Sequence, residues 1–118
     1  MFNLRFIFSP GSCGWFCLKH ILKGKRKKIV YMNLYNIKKI LNENGYYCVC
    51  LKIYNIKDVY CECLTLIKTS KNNHFVVIKK INENYVFFYD PLYVVIRKWK
   101  KERFIKRWVN ICLIYTKV

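Results

Sequence analysis

The stretch from His74 to Pro91, HFVVIKKINENYVFFYDP, constrains the fold of this chain more than any other. Two arms rich in branched and aromatic residues flank the polar triplet 82–84, a pattern that predicts a β-hairpin. Antiparallel arms place the start of the first beside the end of the second, so His74 and Asp90 become neighbours at the open end. A histidine oriented by a carboxylate is half of a nucleophilic active site. The other interpretation is an ordinary hairpin with a surface histidine and a turn-forming aspartate.

A cysteine lies at the start of the first predicted helix, CGWFCLKHILKG, which runs from Cys13 to Gly24. Apolar residues recur in this segment at helical spacing, and Ser12 is suited to cap its N-terminus. A thiol in the first turn of a helix feels the positive end of the helix dipole and the unpaired N–H groups, which favour the reactive thiolate. The alternative is a small buried hydrophobic residue, as expected for Cys17 one turn further on.

The remaining segments alternate between extended and helical patterns. A strand or extended lead-in is predicted over residues 2–8, and a second helix over residues 33–45. Further strands are predicted over residues 46–54, 59–68, 93–99 and 109–115, with a short helical turn over 100–107. Helices followed by an antiparallel sheet are the α+β pattern. We therefore predict one domain over residues 1–118, with two N-terminal helices packed on a twisted antiparallel sheet.

The net charge of this 118-residue chain is +17, which bears on its partners. Lysine and arginine concentrate in two runs, residues 23–28 and 97–101, and the second includes a tryptophan, as nucleic-acid-binding surfaces often do. No nucleic-acid-binding motif surrounds these runs, so a solvated face is the preferred interpretation. Docking to an anionic membrane or a transporter subunit is a third. The chain has no Ala or Gln but much Lys, Asn and Ile, the bias of an AT-rich genome, which raises the charge without any ligand.

The location of the protein is predicted from what its sequence lacks. No run of about 18 apolar residues is present, so no transmembrane helix is predicted. The apolar stretch at the N-terminus is soon interrupted by residues 10–11 and is too short for a secretory signal peptide. These features predict a cytoplasmic protein, in which an odd number of cysteines, seven, indicates free thiols and no disulfide framework.

Four of the cysteines form two C-x-C pairs that raise the question of a metal. The pairs are Cys48 with Cys50 and Cys61 with Cys63. Four thiolates can bind zinc, and residues two apart on a strand share a face. However, structural zinc sites use longer spacings on turns, so packed or free thiols are the preferred interpretation. No metal and no cofactor are predicted.

Three segments together, SCGWFCLKHIL, HFVVIKKINENYVFFYDP and ERFIKRWVNICLIY, resemble one known family. This is the peptidase C39 family, the papain-like cysteine peptidase domains of bacteriocin-exporting ABC transporters. The resemblance extends from about Phe6 to Tyr115, and its most specific part is the His-Phe-Val-Val opening with Asp-Pro at the far end. Phe104 and Trp108 fit the last segment of the family. The resemblance implies a papain-like fold of the C39 type.

The resemblance also implies a role for each candidate residue. Cys13 would be the nucleophile, His74 would deprotonate it and later protonate the leaving amine, and Asp90 would orient the imidazole ring. Family substrates are peptides with a leader that ends in two glycines and is cut after the second. The implied function is a leader-cleaving cysteine peptidase in the cytoplasm, at the inner face of the membrane if it works with an ABC transporter.

One position departs from the family pattern. The family has a glutamine upstream of the cysteine that helps to form the oxyanion hole, whereas Ile7 occupies this position and the chain contains no glutamine. Loss of an oxyanion donor slows acyl transfer. The alternative function is therefore a catalytically weakened domain that binds peptide for a transporter. The second alternative is a basic nucleic-acid-binding protein.

Overall fold

The computed structural model describes residues 10–23, 33–70 and 73–118, with only the backbone of residues 10–13 and 15. The elements in chain order are helices α1 (Pro10–Ile21) and α2 (Leu34–Glu43), strand β1 (Tyr46–Lys52), a 3₁₀ turn (Ile56–Asp58), strands β2 (Cys63–Lys68), β3 (Asn73–Ile81), β4 (Tyr85–Asp90) and β5 (Val95–Lys100), helix α3 (Lys101–Arg107) and strand β6 (Trp108–Lys117). The predicted lead-in strand over residues 2–8 and the basic segment 24–28 lie outside the described residues.

The six strands form one sheet in the order β1-β6-β2-β3-β4-β5, and every neighbouring pair is antiparallel. Helices α1 and α2 pack on one face of this sheet, while α3 and the 3₁₀ turn pack on the other. The predicted α+β architecture, with N-terminal helices on an antiparallel sheet, is therefore confirmed. Among the described residues, no helix has the length and apolar character needed to cross a bilayer.

A hydrophobic cluster lies on each face of the sheet. Because successive side chains of a strand point to opposite faces, Phe75 and Val77 of β3 join the helix-side cluster, and Val76 and Ile78 join the opposite one. All four side chains are buried. Strand β3 therefore reads as a continuous apolar run, as expected for a strand covered on both faces.

Helix α2 has ends that its sequence specifies. The side chain of Asn33 accepts a hydrogen bond from the N–H of Asn36 at 2.9 Å, and the side chain of Asn36 accepts one from the N–H of Asn33, which forms a capping box. The apolar face buries Ile37 and Leu41. Beyond the helix, Gly45 has a φ of 86°, a conformation that glycine adopts without strain. The predicted second helix is confirmed.

Helix α1 begins earlier than predicted. The sequence pattern indicates a start at Cys13 with Ser12 as the cap, but the helix begins at Pro10. Ser12 therefore lies inside the helix, and its assignment as the cap is wrong. Proline suits the first turn because it lacks the N–H group that would have no partner there. The helix packs on β3, with Cys17 and Leu18 fully buried.

The β3–β4 hairpin has the predicted turn and one irregularity. The side chain of Asn82 accepts hydrogen bonds from the N–H groups of Asn84 at 2.9 Å and Tyr85 at 2.7 Å, which closes the turn. The register between the strands shifts at Lys79, so β3 contains one more residue than β4 over this length. This is a β-bulge. It reverses the face of the sheet on which the β3 residues before Lys79 lie, relative to their partners in β4.

Candidate active site

His74 and Asp90 meet at the open end of the hairpin. His74 is the second residue of β3, and Asp90 is the last residue of β4. The Nε2 atom of His74 lies 2.7 Å from Oδ1 of Asp90. Both residues are almost fully buried, with exposed fractions of 4% and 1%. The structure thus brings two of the three predicted site residues into contact.

Two further donors contact the Asp90 carboxylate. The backbone N–H of Leu92 donates to Oδ1 at 3.0 Å, and the guanidinium of Arg97 donates to Oδ2 at 3.1 Å. Burial by itself would raise the pKa of Asp90, but the hydrogen bond and charge of His74, together with Arg97 and Leu92, lower that pKa below its ordinary value. The carboxyl group is therefore ionised at neutral pH.

An ionised Asp90 selects the tautomer of the His74 ring. A carboxylate only accepts hydrogen bonds, so the 2.7 Å contact requires the hydrogen to be on Nε2 of the imidazole. In the neutral ring the lone pair is then on Nδ1, which is the nitrogen able to take a proton from a nucleophile. The pair therefore has the chemistry of an oriented general base.

Cys13, the third predicted site residue, is the fourth residue of α1. The structure describes its backbone and not its side chain. Helix α1 packs on β3, the strand that carries His74. The fold therefore assigns the thiol and the imidazole to two neighbouring elements. Ile7 lies outside the described residues.

Arg97 is a site residue that the sequence interpretation missed, because it lies in a basic run assigned to solvent. In the β4–β5 pairing Asp90 is opposite Val95 and Phe88 is opposite Arg97. Residues two apart on a strand share a face, so Arg97 and Asp90 lie on the same face. This spacing is the signal that could have found Arg97, but it requires the strand register.

The second histidine, His20, belongs to a different group of side chains. Its ring stacks on Tyr89 with centroids 3.9 Å apart, and its Nε2 lies 3.2 Å from Nζ of Lys79. Lys79 also forms an ion pair with Glu62 at 2.6 Å, and Tyr115 donates a hydrogen bond to the other oxygen of Glu62. Burial, and then the charge of Lys79, lower the pKa of His20. This network attaches α1 to the sheet.

The two C-x-C pairs do not converge on a common site. Cys48 belongs to the helix-side cluster and Cys63 to the opposite cluster, and β6 separates their strands. Cys50 and Cys61 are exposed free thiols. Within the part of the chain that the structure describes, no three His, Cys, Asp or Glu side chains are grouped so as to hold a metal. The zinc alternative therefore has no support in this geometry.

Comparison with known families gives one clear match. A model of the peptidase C39 family matches residues 32–118. This range includes His74 and Asp90 and leaves Cys13 outside. No curated protein matches the sequence.

Several solved structures share the fold. The peptidase domain of Streptococcus ComA, a bi-functional ABC transporter involved in a quorum sensing pathway, gives a TM-score of 0.74 at 15% identity, with 94% of this chain and 95% of that chain covered. A double glycine motif protease from an AMS/PCAT transporter, in complex with the leader peptide, gives 0.73 at 20% identity, covering 94% and 88%. The N-terminal peptidase C39 like domain of the toxin secretion ATP-binding protein from Vibrio parahaemolyticus gives 0.65 at 9% identity, covering 94% and 99%. At these identities the likeness shows the fold alone.

Proposed function

Because this chain belongs to the peptidase C39 family, we propose that it is a cysteine peptidase in which Cys13, His74 and Asp90 act together on a peptide bond. The observation that carries the proposal is the buried contact between His74 and an ionised Asp90. The helix that bears Cys13 packs on the strand that bears this imidazole, and an oriented imidazole is the base needed to activate a thiol. We also propose that residues 1–118 form a single domain of this kind.

In the proposed reaction, Nδ1 of His74 takes the proton of the Cys13 thiol, and the thiolate attacks the carbonyl carbon of the scissile bond. The C–N bond breaks as His74 returns this proton to the leaving amine, which leaves a thioester on Cys13. A water molecule gives a proton to His74 and attacks the thioester, and the proton then passes to the departing thiolate. Asp90 stays ionised throughout and holds the imidazole ring through Nε2.

The proposed substrate is a peptide whose leader ends in two glycines, cut after the second glycine. This class is supported by the sequence resemblance and by the shared fold with a double glycine motif protease in complex with its leader peptide. An export ABC transporter is the proposed partner, since the similar ComA domain is part of one. The proposed location is the cytoplasm, where a net charge of +17 also favours contact with an anionic membrane surface.

A second function, peptide binding with little cleavage, is favoured by one observation. Ile7 stands where the family has its oxyanion glutamine, and the chain contains no glutamine. Removing one oxyanion donor lowers the rate by about 10²- to 10³-fold in a well-studied hydrolase. Such a domain would keep a reactive Cys13 thiol but would cleave its peptide substrate slowly.

Alkylation by iodoacetamide near pH 7, followed by mass spectrometry of each cysteine peptide, tests the proposal. Cys50 and Cys61, both exposed free thiols, are internal controls. We expect Cys13 to react faster than both, and this excess to disappear in His74→Ala. Equal rates at the three positions would overturn the peptidase proposal. Fast alkylation without cleavage of a Gly-Gly leader peptide would support the binding function instead.

A further inference from the structure

The guanidinium of Arg97 lies between a carboxylate and two aromatic rings. Its Nη1 is 3.1 Å from Oδ2 of Asp90. Its central carbon lies 4.6 Å from the centroid of Tyr93 and 5.4 Å from that of Trp99. The side chain of Arg97 is 30% exposed and that of Asp90 only 2%. Arg97 therefore connects the buried end of the His74 pair to the surface of the protein.

The turn between β4 and β5 holds this arrangement together. The carbonyl oxygen of Asp90 accepts hydrogen bonds from the N–H groups of Tyr93 at 3.2 Å and Val94 at 2.8 Å, and its side chain accepts one from Leu92. The chain thus folds back over the carboxylate, and this brings the Tyr93 ring against Arg97.

We propose that Arg97 is a positioning residue for the reaction proposed above: it holds Oδ2 of Asp90 so that Oδ1 stays directed at Nε2 of His74, and Tyr93 keeps Arg97 in place. This inference rests on the proposed function. The terminal torsion of an aspartate is broad and roughly two-fold, so a carboxylate held by one oxygen can rotate. Donors on both oxygens of Asp90 remove this freedom.

The stabilising effect of the Arg97 ion pair is expected to be small. A partly exposed pair contributes little to stability, because solvent screens it. The orientation of the His74 ring, by contrast, depends directly on Oδ1 of Asp90, and the contact of Arg97 with Oδ2 fixes where Oδ1 lies. Loss of Arg97 should therefore affect the imidazole more than the stability of the fold.

Arg103 offers a matched control. Its guanidinium carbon lies 4.1 Å from the centroid of Trp99, so it shares an aromatic neighbour with Arg97. No contact joins it to Asp90 among those seen for the described residues. Arg103→Met removes the same charge from the same region and leaves the carboxylate untouched.

Histidine ¹⁵N NMR reads the orientation directly, because the ring nitrogen shifts report the tautomer. The chain has two histidines, so His20 is an internal reference. In the wild type and in Arg103→Met we expect neutral His74 to carry its hydrogen on Nε2. In Arg97→Met we expect a mixture of both tautomers, with His20 unchanged, and in Arg97→Lys a partial return to the Nε2–H form.

The rate of Cys13 alkylation by iodoacetamide provides the second readout. A misplaced base lowers the rate, and we expect a loss of about 10- to 100-fold in Arg97→Met and none in Arg103→Met. If Arg97→Met does not fold by circular dichroism, Tyr93→Leu replaces it and should produce the same changes to a smaller extent. A pure Nε2–H tautomer in a folded variant would overturn the inference. Failure of the proposed peptidase function can be distinguished from failure of this inference, because it appears as slow Cys13 alkylation already in the wild type.

Discussion

His74 and Asp90 lie on the same face of the sheet because a β-bulge at Lys79 shifts the register of β3 by one residue. Before the bulge, Val77 pairs with Tyr89; beyond it, Ile81 pairs with Val86. Continued to the open end, the register beyond the bulge would place Asp90 opposite Val77, and His74 would then point to the other face. A one-residue change reverses the face of every side chain that follows it. The contact between the two site residues therefore depends on the bulge.

Replacement of Asp90 by Asn tests its orienting role. An amide has one acceptor oxygen and can also donate, so it no longer requires Nε2 of His74 to carry the hydrogen. We expect the cleavage rate to fall by about 10²- to 10⁴-fold, as for the equivalent change in other triads, with little change in KM. Asp58→Asn, at an exposed position of the 3₁₀ turn, is the control and should keep the wild-type rate. A fully active Asp90→Asn would show that the carboxylate has no role in the reaction.

The bulge also marks the limit of what the sequence could predict. The turn at 82–84 and the strand character of both arms follow from local composition, and they were sufficient to place His74 and Asp90 at one end. Whether the two residues share a face depends on the position of the β-bulge. The sequence does not mark this position, because Lys79 is followed by a second lysine, Lys80. The register of a sheet is a property of the pairing and not of one strand.

Other misses have similar physical causes. The sequence favours Cys13 as the start of α1 because Ser12 is a good cap, but Pro10 suits a first helical turn equally well. The basic run that contains Arg97 favours a solvated face, because such runs ordinarily lie in solvent. The contact of Arg97 with Asp90 depends on the β4–β5 register. The second helix was predicted well because Asn33 and the Ile37–Leu41 face are local signals.

The pH dependence of stability near neutrality should depend on His20. Burial and the charge of Lys79 lower the pKa of His20 in the folded protein below the ordinary value of about 6.5. Between the folded and the unfolded pKa, the unfolded chain therefore binds more protons than the folded protein. The contribution of neutral His20 is complete above the unfolded pKa and is lost as the pH falls through the folded pKa. We expect the free energy of unfolding, measured with urea, to fall less between pH 7.5 and pH 5 in His20→Gln than in the wild type. An equal fall in both proteins would contradict this account.

A buried hydroxyl in β2 is predicted to stabilise the sheet. Thr65 Oγ1 donates a hydrogen bond to the carbonyl of Ile111 at 2.6 Å and accepts one from Nε1 of Trp108 at 2.8 Å. Thr65→Val keeps the shape of the side chain but leaves both partners without this bond, which costs about 1–3 kcal/mol of unfolding free energy. Thr116→Val, at an exposed position of β6, is the matched control and should change stability by less than about 0.5 kcal/mol. Equal effects in urea titrations of the two variants would refute the predicted role of the hydroxyl.

Val94, in the turn beside the candidate site, is predicted to be strained. Its φ is 55°, in the left-handed region that a β-branched residue rarely adopts, and its N–H donates to the carbonyl of Asp90 at 2.8 Å. The left-handed conformation costs about 1–2 kcal/mol for a residue with a Cβ atom, whereas glycine loses about 0.5–1 kcal/mol through its greater freedom in the unfolded chain. We therefore expect Val94→Gly to raise the free energy of unfolding by up to about 1.5 kcal/mol, since the two effects differ by about 0–1.5 kcal/mol. Val95→Gly is the control, because Val95 is also an exposed valine but lies in strand β5, where glycine relieves no strain and should destabilise. If both glycine variants lose stability to the same extent in urea titrations, the turn stores no strain at Val94.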